Sequence, residues 1–170
     1  VGENGAGKST LVRHLIGLAA PSAGTVRLRG RSIGGRPPAE LVREVGICFQ
    51  NPDDQFFTTS VRAEIEVGLR HGRPHGLGLE GLSRIFELDA VLDRPPHLLS
   101  AGEKKRAAIA SVLALNPEVL VLDEPTAGQD AAGREALATA LRRLSAEGLA
   151  VLVVTHDLEF ASACACRWIR

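Results

Sequence analysis

The chain has no methionine, only three cysteines, and no excess charge of either sign, since 20 basic and 20 acidic side chains cancel. Each scarcity excludes something. Without methionine, Val1 is not a start-codon product, and the chain is expected to be a segment of a longer one. Both ends are expected to cut through a sheet: Val1 abuts a loop motif that normally follows a full strand, and Arg167-Trp168-Ile169-Arg170 stops where another strand could begin. An odd, low cysteine count without a pairing pattern points to a reducing, cytosolic compartment. Charge balance removes the electrostatic case for nucleic acid or an anionic membrane surface as the main partner. No apolar run reaches the ~20 residues of a spanning helix, so a membrane role would be that of a docked subunit.

What is present suffices for one domain with a core: 170 residues, 45% of them apolar. Leu11, Val12, Leu15, Ile16 and Leu18 recur at helical spacing until Pro21. Thr25 to Gly30 alternates as a half-exposed strand does, Pro37-Pro38 opens a short helix from Ala39 to Glu44, and Val45 to Phe49 is a short buried strand. Residues 59–115 are helical in pattern, broken by a Gly-, Pro- and His-rich loop from His71 to Gly78. Val119 to Leu122 and Leu149 to Val154 are continuous apolar runs, the mark of parallel strands covered on both faces. Between them Ala131 to Ala146 is an amphipathic helix closed by Gly148, and Asp157 begins a last helix. The order implies an α/β domain with a mainly parallel sheet flanked by helices and interrupted by a helical insertion. Residues 1–58 and 116–170 form its core, and 59–115 the insertion.

Ligands in such sheets sit beyond the carboxyl ends of the strands. The polar groups of this sequence collect there. Gly2-Glu3-Asn4-Gly5-Ala6-Gly7-Lys8-Ser9, followed by Thr10, fits the phosphate-loop pattern G-x-x-x-x-G-K-[ST]. Its glycines let successive N–H groups curl around a phosphate, and the following helix adds its positive end. Lys8 would reach the β- and γ-phosphates, and Ser9 would ligate Mg²⁺. Asp123-Glu124 ends the third strand, with the first carboxylate placed to hold the metal and the second to deprotonate a water. Gln50 and His156 end the other two strands. Leu99-Ser100-Ala101-Gly102-Glu103 reads as a capping box opening a helix, whose free N–H groups also make an anion site. Cys164-Ala165-Cys166 has no second cysteine pair to complete a metal site.

Leu99 to Glu103 resembles the Leu-Ser-Gly-Gly-Gln signature of ABC ATPases, departing from it at Ala101 and Glu103. The other family elements follow in order: Gln50 matches the Q-loop, Val119 to Glu124 Walker B, Ala127-Gly128-Gln129-Asp130 the D-loop, and His156 the switch histidine. The resemblance implies a phosphate-loop nucleotide-hydrolase fold and hydrolysis of Mg-ATP, with Glu124, His156, Gln50 and Lys8 catalytic. Nucleotide contacts are implied for residues 2–10 and, across a paired domain, for Ser100, Ala101, Gly102, Glu103 and Asp130. Metal ligation is implied for Ser9, Gln50 and Asp123. Asn51 to Phe57 is similar to the corresponding stretch of energy-coupling factor and cobalt-type transporter ATPases, which implies a transmembrane partner received at Asp53 and Asp54 on the cytoplasmic face of the membrane. A soluble ABC ATPase acting on the ribosome, or a module that binds nucleotide without hydrolysing it, are the alternative expectations.

Overall fold

The computed structural model describes residues 7–74, 76–164 and 167–168. Helix α1 (Lys8–Leu15) is followed by a small antiparallel hairpin, β1 (Arg27–Leu28) with β2 (Arg31–Ser32), and by the short helix α2 (Pro38–Leu41). Strand β3 (Val45–Cys48) leads into α3 (Val61–His71), α4 (Leu79–Ile85) and α5 (Ala101–Leu113). The chain then returns through β4 (Val119–Asp123), α6 (Ala131–Ala146), β5 (Ala150–Val154) and α7 (Leu158–Cys164). The strand expected from Thr25 to Gly30 is therefore only two residues long. Arg29 and Gly30 both take positive φ and turn the chain back on itself. The helix expected to run to Glu44 stops at Leu41, and the two core strands and α6 lie where the apolar pattern put them.

β3, β4 and β5 form a parallel sheet in that order, with Val45 opposite Val119 and Asp123 opposite Val154. β4 is central, which explains its unbroken apolar run: Leu120, Val121 and Leu122 are all fully buried. The two faces divide by the two-residue period of a strand. Val121 packs with Val12 of α1 and with Ile16 at its C-cap, whereas Leu120 and Leu122 join the larger core built from α3, α4, α5 and α6. The insertion is thus anchored under the sheet by apolar burial. Its helices approach closely at Gly68 in α3, where a Cβ would stand 2.6 Å from the Ala114 Cβ and 2.7 Å from the Ser111 carbonyl oxygen.

Because all three strands are parallel, their carboxyl ends lie together. Phe49-Gln50, Asp123-Glu124 and Thr155-His156 leave the sheet at the same edge.

Candidate functional site

Glu124 is the centre of that edge. It is 7% exposed and takes a left-handed backbone conformation (φ 48°), while its N–H donates to the Val154 carbonyl at 2.8 Å, one step beyond the β4–β5 ladder. Its Oε2 accepts from the Thr155 hydroxyl at 3.0 Å and from the His156 N–H at 3.4 Å, and it lies 3.0 Å from His156 Nδ1. A neutral imidazole that donates from Nδ1 to this carboxylate keeps Nε2 as an acceptor. The His156 side chain is 72% exposed and so reaches outward from a buried anchor. Thr155 is fully buried, and its Oγ1 also accepts from the Asp157 N–H at 3.0 Å. A hydroxyl fixed at both ends holds the carboxylate in one orientation. Thr155 was not expected from sequence. Its signal is position alone, one residue before the histidine at a strand end.

Asp123 is buried at 8% exposure beside it. Gly7, at φ 83°, caps α1, and Lys8 starts the helix half-buried. Ser9 lies in the first turn of α1, and Thr10 is exposed. Gly2, Glu3, Asn4, Gly5 and Ala6 lie outside the described residues, as does the side chain of Ser9.

The loop after β3 is held by one of its own side chains and by one from α5. Gln55 Oε1 accepts from the Phe49 N–H at 2.8 Å, and Gln55 Nε2 donates to the Ile47 carbonyl at 3.4 Å. Lys105 of α5, 2% exposed, donates to the carbonyls of Phe49 (3.3 Å) and Gln50. Burial pulls the Lys105 ammonium below its ordinary value, opposed by the nearby Asp123 and Glu124 carboxylates. Asp53 lies in a 3₁₀ turn, Pro52–Asp54, and receives Lys104 at 2.7 and 3.1 Å, so one of the two expected docking carboxylates already has a cation. Asp54 is exposed and accepts from Asn51 Nδ2 at 3.0 Å, and Phe57 nearby is 74% exposed. Gln55 lies in the Asn51 to Phe57 stretch and Lys105 in the Glu103 to Arg106 run, both similar to energy-coupling factor ATPases, but no sequence signal points to the contacts that either makes with the end of β3.

Ser100 caps α5 in a complete capping box. Its Oγ accepts from the Glu103 N–H at 3.3 Å, while its own N–H and hydroxyl both donate to Glu103 Oε2 at 2.7 Å. Ala101 packs against the turn at Gly128, where an added Cβ would stand 3.0 Å from the Ala101 methyl. Asp130 caps α6 by accepting from the Gly133 N–H at 2.7 Å.

The comparisons with known proteins decide the family. Residues 1–127 match the family profile described as ABC transporter. The chain belongs to the ABC transporter ATP-binding family. It is 45% identical over 170 residues to the energy-coupling factor transporter ATP-binding protein EcfA of Carboxydothermus hydrogenoformans, which covers 95% of this chain and 61% of that protein. It is also similar to cbiO1 of Clostridium perfringens, described as part of the ABC transporter complex cbiONQ, at 34% identity and a TM-score of 0.82 over 96% of this chain and 68% of that one. The ATP-binding cassette MJ0796, solved as a post-hydrolysis dimer bound to ADP and Pi, superposes with a TM-score of 0.83 at 26% identity over 95% of this chain and 75% of that one. The chain thus spans about three fifths of the length of curated relatives such as EcfA. Within this ABC domain Gln50, Asp123-Glu124 and His156 follow the three parallel strands at one sheet edge, and Ser100 caps α5.

Two expectations arise from these environments. The Ser100 hydroxyl and N–H hold the Glu103 carboxyl below its ordinary value of 4.5. A lowered carboxyl binds fewer protons folded than unfolded, so its contribution to stability is complete above about pH 4.5 and is lost as pH falls through the folded value. Glu103→Ala is expected to cost roughly 0.5–1 kcal/mol near neutrality. That gap should close on titration toward pH 3, as read by urea melts of both proteins. A gap that widens in acid overturns the assignment. Burial pushes the Cys48 thiol from its ordinary 9.0 to about 12. At pH 8 folded Cys48 should therefore resist iodoacetamide while unfolded protein is alkylated at once, a contrast that peptide mass spectrometry measures directly.

Proposed function

We propose that the full-length protein binds and hydrolyses Mg-ATP to drive a membrane importer of the energy-coupling factor class. The observation that supports the reading is the buried Glu124 carboxylate, held by Thr155 and His156 at the sheet edge where Gln50 and Asp123 also leave the strands. A carboxylate held in one orientation beside a water can take a proton from it. His156, exposed and anchored through Nδ1, offers its other nitrogen to the terminal phosphate. Phosphates would be cradled by residues 2–10, where Gly7 in its left-handed conformation delivers the chain into α1.

The residues fit Mg²⁺. Ser9, Gln50 and Asp123 offer a hydroxyl, an amide carbonyl and a carboxylate, all hard oxygen donors, and this ion completes its shell with phosphate and water rather than with a protein cage. When bound, it neutralises charge on the phosphates.

Ser100, Ala101, Gly102, Glu103 and Asp130 would meet the nucleotide of a second such domain, giving a pair with ATP at each shared boundary. The transmembrane subunit would dock on residues 51–57. Asp54 and Phe57 are open there, and Asp53 would exchange Lys104 for a basic residue of the partner. Among the described residues no helix is long and apolar enough to cross a membrane. A peripheral place on the cytoplasmic face follows from the docking.

Affinity purification of the full-length protein in mild detergent tests this reading. A small integral membrane subunit should co-purify with the parent and be lost on reversing the charges of Asp53 and Asp54. Recovery of ribosomes, or of no membrane protein, would replace the importer with a soluble ATPase.

A further inference from the structure

We propose that Lys105 is a positioning residue that fastens the signature helix to the Q-loop, so that Gln50 and the Ser100 turn move as one body. The proposal rests on the functional reading above and deepens it. An ammonium group in the interior is costly unless its donors are satisfied. Lys105 is 2% exposed, and the two backbone carbonyls just after β3, those of Phe49 and Gln50, accept from it. Those residues stand 56 and 55 positions earlier in the chain. The contact therefore joins two separate segments rather than neighbours in one element.

The neighbouring lysine makes a second tie. Lys104 reaches Asp53 at 2.7 Å, so two consecutive residues of α5 grip a five-residue stretch of the loop. The two ties differ in kind. Lys104–Asp53 joins two side chains at the surface, the Asp53 side chain being 53% exposed, and solvent screens it. The Lys105 contact is buried and made to the backbone, so it fixes the course of the loop itself. The Phe49 N–H is taken by Gln55, which leaves both polar backbone groups of Phe49 held by side chains. The Asp123 and Glu124 carboxylates at the end of β4 favour the Lys105 charge, and its contacts to Phe49 and Gln50 hold it beside the end of β3.

At the other end of this tie, Ser100 caps the same helix five residues before Lys105. At a rise of about 1.5 Å per residue the two are less than 8 Å apart along the axis, within one rigid segment. A displacement of Gln50 by nucleotide or by a docked partner is thereby passed to Ser100 without crossing a flexible joint.

The test compares Lys105→Met, which keeps length and loses the donors, with Lys105→Arg, which keeps donors and charge, in the full-length protein. Lys105→Met should lower kcat about tenfold or more while the KM for ATP moves less than about threefold, because nucleotide binding survives and alignment does not. Lys105→Arg should recover at least about a third of the parental kcat, since its guanidinium still donates. A Met variant within about twofold of the parent, or Met and Arg variants equally impaired, overturns the proposal. Hydrogen exchange gives a readout independent of turnover. In the Met variant, amides of residues 49–55 and of residues 100–104 should both lose protection, by about tenfold or more in rate. Loss confined to one segment also overturns it. If the Met variant does not fold, the Arg variant decides alone: parental protection in both segments and a retained kcat are expected, and a fall beyond about tenfold sinks the idea. A parent that hydrolyses no ATP would instead refute the functional reading, and the exchange experiment would still judge the tie.

Discussion

Glu124→Gln is expected to leave nucleotide binding intact and to slow hydrolysis by about 10²–10⁴-fold, the contribution of a positioned general base. The substitution suits the question because an amide can preserve the local packing. Its carbonyl oxygen can still accept from the Thr155 hydroxyl, which donates to Glu124 at 3.0 Å, and the volume is unchanged. Only the ability to take a proton is removed. A pair of domains that closes on ATP and cannot complete hydrolysis should then accumulate. Size-exclusion chromatography of the full-length variant with Mg-ATP would resolve that species, and a steady-state phosphate assay would give the rate. Turnover within about threefold of the parent removes Glu124 from the base role and leaves it a structural carboxylate.

Phe86→Ala should have the largest effect on stability. Phe86 is 1% exposed, it ends α4, and it sits in the core shared by α3, α4 and α5. Its carbonyl also accepts from Arg106 Nε at 3.0 Å, so the same residue joins α4 to the signature helix through its backbone. Removing a buried phenyl ring costs about 3–5 kcal/mol, transfer and cavity terms together. In a chain of this size that corresponds to a fall of very roughly 6–20 °C in Tm. Thermal and urea unfolding of parent and variant give the number. A loss below about 1 kcal/mol would mean that the helical insertion collapses around the void, and that α5 is held by the sheet rather than by α4.

Much of the architecture was legible in the residues. The run Val119 to Leu122 could be read because a strand buried on both faces has no polar side to interrupt it. Leu149 to Val154, expected to be covered in the same way, instead leaves Ala150 exposed and Val151 to Val153 half-buried, because β5 is the last strand of the three. Helix α6 was legible because Leu137, Leu141 and Leu144 keep one stripe and Asp130 and Gly148 mark its ends. The hairpin at residues 27–32 was not. Its arms are two residues each and mostly exposed, so no alternation was long enough to set their limits. At the site, the residues that announce themselves are those with a sequence pattern around them. Those that orient them do so through long-range contacts. Thr155 meets Glu124 across 31 positions and Lys105 meets Gln50 across 55, and no local pattern encodes such a distance. Glu103 is a mixed case. The capping box it forms with Ser100 was predictable, whereas its hold on the Ser100 hydroxyl emerged only from the geometry.

The backbone at Glu124 has a consequence for how such a protein changes over time. A side chain bearing a Cβ at φ 48° occupies a conformation costing about 1–2 kcal/mol relative to the right-handed region, one that glycine or asparagine would fill more cheaply. Selection for stability alone would therefore drive the acid out of this position. The acid at this position sets folding stability against the proposed chemistry at a single residue.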